Sequence, residues 1–173
     1  WWGNNFNNRK RRAMYKVIFT TAVFVMLFSG CKSKSAFNFS EDIVAKEKSL
    51  AAAITSTEDK VEKYASADQY DSVAIAGAHM EELVQKKIEE IEAMSLPRAK
   101  LAAEFKAAAL RYFKYIKSLY TGYKSWGKAK SDEERDAIFT TLQGIDNGKE
   151  AAVDDMQKAQ KKYAEANGLK MEK

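Results

Sequence analysis

The stretch LAAEFKAAALRYFKYIKSLYTGYKSW, Leu101 to Trp126, decides how this chain folds. Leu101, Phe105, Ala109, Tyr112, Ile116, Leu119 and Tyr123 recur at intervals of three and four, the spacing of one helical face and not the alternation of a strand. The same period runs on both sides. Upstream, Ile43, Leu50, Ile54, Val61 and Tyr64 predict a helix over about 41–64, opened by Ser40 as N-cap with Glu41 and Asp42 at its positive end. Tyr70, Val73, Met80, Val84, Ile88 and Ile91 predict a second helix to about Met94, with Ser66 and Gln69 at capping-box spacing before it.

Pro97, the only proline, cannot donate a backbone hydrogen bond and fits a first helical turn, so the third helix is expected to start there and end near Trp126-Gly127. Ser131-Asp-Glu-Glu134 is a second capping box. The stripe Ile138, Leu142, Ile145, Ala152, Met156, Ala159 and Tyr163 then runs to a stop at Asn167-Gly168. Gly144 and Gly148 interrupt it, marking either a kink or a close helix contact. Four amphipathic helices with short connections predict an all-α fold, an up-down-up-down four-helix bundle over residues 40–173, long enough for one core.

The N-terminal segment follows a different logic. Val17 to Phe28 is a twelve-residue apolar or neutral run, short of the about 20 residues a membrane-spanning helix needs. Its length suits the apolar region of a secretory signal, with Lys16, Arg12, Arg11, Lys10 and Arg9 supplying the positive flank. The small residues Ser29 and Gly30 then precede Cys31, the chain's only cysteine. Ser29-Gly30-Cys31 resembles the lipobox of bacterial lipoproteins, with Phe28 standing where leucine is commonest. That resemblance implies cleavage after Gly30 and lipidation of Cys31. Residues 14–30 are then a signal peptide, 31–39 the lipidated cysteine and a short tether, and 1–13 an extension upstream of a natural start at Met14.

The layout and the tail AQKKYAEANGLK resemble small all-helical envelope or surface lipoproteins without assigned activity. The resemblance implies a bacterial envelope location and a membrane partner through the lipid. Lys32 does not match the aspartate that retains some lipoproteins in the inner membrane, so the outer membrane is favoured, on either its periplasmic or its surface face.

Removal of the signal changes the electrostatics. The whole chain has a net charge of +5, but residues 1–30 hold five basic side chains and no acid, leaving 24 basic and 24 acidic groups after them. Nothing in that balance calls for a nucleic-acid partner. Charge is nevertheless uneven, with nine basic residues and the single acid Glu104 between Arg98 and Lys130. Arg111, Lys114, Lys117 and Lys124 interleave there with aromatic rings. Tyr115 and Trp126 fit the core stripe least well, so both are expected at the surface. Together these six residues form a candidate face for an anionic or amphipathic ligand such as a glycan, a lipid or a polyanion.

Chemistry-bearing motifs are otherwise sparse. His79 is the only histidine, too few for a di-iron bundle site, and no Cys-x-x-Cys-His offers covalent haem attachment; His79 with Met80 or Met156 is the one pairing that could ligate haem. There is no glycine-rich phosphate loop and no nucleophile elbow. Neighbouring acids such as Glu81-Glu82, Glu89-Glu90 and Asp154-Asp155 point in different directions on a helix. The sequence therefore predicts a non-enzymatic interaction or structural module, with no cofactor, no metal and an envelope protein or anionic ligand as partner.

Overall fold

The computed structural model describes residues 26–27 and 34–171. Five helices follow one another: α1 Lys34–Ser66, α2 Tyr70–Ala93, α3 Ala102–Lys128, α4 Asp132–Asn147 and α5 Lys149–Ala166. The last two continue one path broken at Gly148, so the chain is the expected all-α four-helix bundle with a fractured fourth helix. Gly148 lies at φ −81° and ψ −4°, off the helical ψ, while a Cβ added at Gly144 would meet nothing within 4 Å. Gly148 thus marks the break, while Gly144 lies inside α4, and neither admits a close contact with another helix. A two-residue antiparallel pair, β1 Met26–Leu27 with β2 Lys170–Met171, completes the described elements.

α1 begins seven residues before the expected Glu41. Phe39 and Ala36 stand one and two turns ahead of Ile43 on the same face, and both are buried, so the stripe continues upstream through the expected tether. Ser40, expected as the N-cap, lies inside the helix and is fully buried. The end of α1 also departs from expectation. Gln69 N–H donates to Tyr64 O and Asp68 N–H to Ala65 O, with Asp68 at φ 55°. Ser66-Ala-Asp-Gln69 is therefore a Schellman stop with aspartate in the left-handed position, and no side chain caps α2.

α3 starts five residues after Pro97. Lys106 Nζ donates to the carbonyls of Glu92 (2.8 Å) and Met94 (2.6 Å), while Asn167 clasps Lys100 by accepting from its N–H (3.0 Å) and donating to its carbonyl (2.9 Å). These bonds hold 94–101 as a loop. Ser131 caps α4 as expected, Glu134 N–H donating to its Oγ, but the Glu134 carboxylate accepts from Lys130 N–H (2.7 Å), one residue before the N–H a capping box would take. At Asn167-Gly168, Leu169 N–H reaches Ala164 O and Gly168 N–H reaches Glu165 O, a Schellman stop with Gly168 at φ 66°.

The core runs the length of α3. Phe39, Phe105 and Tyr163 bring α1, α3 and α5 together at one end, with Phe105 stacked on Tyr163 at 5.0 Å between centroids. Tyr70 and Trp126 meet edge to face at 5.2 Å at the other end. Between α2 and α3 the backbones touch. A Cβ on Gly77 would sit 2.6 Å from Lys124 N, and one on Gly127 would sit 2.5 Å from Ala74 N.

Candidate functional site

Four basic residues of α3 reach acids or an amide on its neighbours. Lys114 reaches Glu92 at 3.4 Å, Lys117 Nζ donates to Gln85 Oε1 at 2.8 Å, and Lys124 pairs with Glu81, which also accepts from Thr121 at 2.7 Å. Rising numbers on α3 meet falling numbers on α2, so these cations line one seam of an antiparallel pair. Burial would push the Glu81 carboxyl up, but its bonds from Lys124 and Thr121 hold it below the usual carboxylate range. Arg111 turns the other way, placing Nε (2.9 Å) and Nη2 (2.7 Å) on one oxygen of Asp155 in α5.

The six residues proposed as one ligand face therefore do not share a surface. Trp126, expected to be exposed, is 4% accessible, because Tyr70 and the α2–α3 contact at Gly127 close over it. Tyr115 is half-buried; its hydroxyl has no partner among the described residues, and burial with Asp146 nearby pushes it up to about 12. Ser29, Gly30 and Cys31 lie outside the described residues. His79 is exposed while Met80 is buried, so the pair does not converge on one site. No group of three metal-ligating side chains occurs among the described residues.

Two half-buried carboxylates at the edge of the core have no place in the sequence analysis. Glu58 of α1 accepts from Tyr120 (2.9 Å, Oε1) and Tyr123 (3.1 Å, Oε2), and Glu47 accepts from Tyr112 (3.0 Å). Burial lifts Glu58 to about 7 against the bonds from both phenols and the charge of Lys149, with Asp146 adding to the rise. Glu47 is raised by burial in the same way. A signal was present: 43, 47, 50, 54, 58 and 61 form one continuous helical stripe with acids at two of its positions.

Two surface hollows are lined by described residues. Between α3 and α4 lies a mainly apolar groove of about 510 Å³, with Thr121, Gly122, Ile138 and Ile145 along it and Lys114 and Lys117 at its rim. At the far turns, Arg135 lies 4.1 Å over the Tyr70 ring and donates to Ala129 O, bordering a polar cleft of about 530 Å³.

Comparison with protein-family models, with curated proteins and with solved structures finds no match to this chain. Its function rests on its own residues.

Proposed function

We propose that this chain is a bacterial envelope lipoprotein, anchored through lipid on Cys31, whose four-helix bundle serves as a non-catalytic interaction or structural module. The observation that carries this reading is the order of basic flank, twelve-residue apolar run and Ser29-Gly30-Cys31 in the sequence. α1 begins at Lys34 and commits Ala36 and Phe39 to the core at once, so only Lys32 and Ser33 separate the lipobox cysteine from the first helix. That is a reach of about 10 Å, which would hold the bundle against the bilayer. No described helix is long and apolar enough to cross a membrane, so attachment of this domain would depend on what precedes it. Processing after Gly30 would also remove β1 and leave β2 without its partner strand.

The outer membrane remains the favoured location on the ground of Lys32. The test is incorporation of labelled palmitate by the parent and by Cys31→Ser, with cell fractionation. Label in the parent that the substitution abolishes, with the protein in the envelope fraction, supports the anchor. Absence of label from both, with protein in the cytoplasm, overturns it.

A second reading, a binder of an anionic amphipathic molecule, draws on the α3–α4 groove, whose apolar wall and two rim lysines suit a chain with a charged head. Its discriminating test is salt-sensitive retention on anionic vesicles, lost when Lys114 and Lys117 are changed to Gln.

A further inference from the structure

The loop between α2 and α3 carries two costs that the fold does not recover. Leu96 is 53% exposed and Leu101 is 39% exposed, and these are two of the three large apolar side chains that the described residues leave open to solvent. Leu101 also sits at φ 59°, a left-handed conformation that a bulky side chain disfavours. The Asn167 clasp on Lys100 and the bond from Phe105 N–H to Leu101 O (3.0 Å) hold this backbone in place, but neither covers the Leu101 side chain.

The place of this loop in the fold indicates what could compensate it. Asn167 clasps Lys100, and the Tyr163 hydroxyl donates to Ala36 O at 3.0 Å, so the loop, the end of α5 and the start of α1 share one end of the bundle. Cys31 is three residues before α1 and cannot lie more than about 10 Å from Lys34. Lys34, Arg98 and Lys100 are exposed at this end and form no ion pair among the described residues. Glu104 is the only acid between residues 94 and 106, while Lys106 is spent on closing the loop.

We infer that the 94–101 loop is a membrane-contact element that seats Leu96 and Leu101 in the interfacial region of an anionic bilayer while Arg98 and Lys100 meet its phosphates. Apolar side chains gain by leaving water there, and each cation near an anionic surface adds attraction that salt screens. The inference rests on the envelope reading and adds an orientation to it: the lipid end of the bundle faces the membrane and the Ala129–Ser131 turn faces away.

The test uses the full chain carrying Cys31→Ser, so that no covalent lipid contributes, with a nitroxide at Leu96→Cys or, as control, at Lys130→Cys. Each protein is mixed with vesicles of phosphatidylglycerol and phosphatidylethanolamine, and collision of the spin label with oxygen and with an aqueous nickel chelate is measured. Loss of chelate access at 96 with retained access at 130 supports the element. Equal access at both positions, or no vesicle binding, overturns it. Leu101→Gly separates contact from architecture, because it relieves the left-handed strain while deleting the apolar group. Unchanged or raised stability with vesicle binding lowered by roughly tenfold supports the inference. Lowered stability with binding unchanged gives Leu101 a structural role and overturns it. Because these proteins cannot be lipidated, failure of the loop and failure of the anchor, read by palmitate labelling of the parent, are distinguishable.

Discussion

The Tyr120 hydroxyl donates to one oxygen of Glu58 while Tyr123 donates to the other, so two residues of α3 hold a carboxylate of α1 at the edge of the core. Stability should therefore depend on pH in an uncommon direction. The folded-state pKa of Glu58 is raised from 4.5 to about 7, so the folded protein binds this proton more tightly than the unfolded chain. The contribution is fully present below 4.5 and is lost as pH rises to about 7, on the order of 1–3 kcal/mol. Thermal unfolding of the parent should weaken across that window, and Glu58→Gln should flatten the slope. A slope unchanged by the substitution would assign it to another group, Glu47 first. Glu81 and Glu90, held low, act in the opposite sense, their stability being lost on acidification below 4.5.

Gly77 and Gly144 should respond oppositely to alanine. At Gly77 the new Cβ would press on the α3 backbone, which cannot yield as a side-chain tip can, costing about 1–3 kcal/mol or more. At Gly144, inside α4 with open space around it, alanine should add up to about 1 kcal/mol. Urea unfolding of the two variants measures the contrast.

Among the lysines of α3, exposure decides which matters to stability. Lys124 and Glu81 are 29% and 16% exposed, whereas Lys114 and Glu92 are 59% and 48% exposed at a longer 3.4 Å. Lys124→Gln should cost about 1 kcal/mol and Lys114→Gln close to none, the pattern expected when solvent screens the open pair. A double-mutant cycle between positions 81 and 124 isolates the pairwise part.

Tyr163→Phe removes the hydroxyl that holds Ala36 and should cost about 1 kcal/mol. The loss should be local. Hydrogen exchange at the first turns of α1 should accelerate more than exchange in α2, because the bond ties the start of α1 to α5.

The helical period made the fold class legible, since apolar residues at threes and fours recur in every helix and Ser131 and Asn167-Gly168 act as written. Boundaries failed where two local signals competed. Ser66-Ala-Asp-Gln69 carries capping-box chemistry and a residue tolerant of positive φ, and the second prevailed because it closes carbonyls already in place at the end of α1. Pro97 marked a turn correctly but not the helix start, since that is set by the Asn167 clasp, 67 residues away from Lys100 in sequence. The ligand face was misread for a related reason. Trp126 lies one turn from Tyr123, but nothing in its own helix reveals that Gly127 admits α2 close enough to cover it. Glu47 and Glu58 were visible in the stripe and were passed over because acids are ordinarily assigned to the solvent side.

The ring cluster of Phe39, Phe105 and Tyr163 sits where the chain enters α1. A load drawn from the segment before Lys34 toward the far turns would run along the axis of α1, not across it. The Tyr163 bond, the three rings and the Glu47 and Glu58 contacts would then slide together under shear, sharing the force along the helix instead of parting one after another. A pull on the N-terminal end of α1 would therefore load these contacts together and not singly.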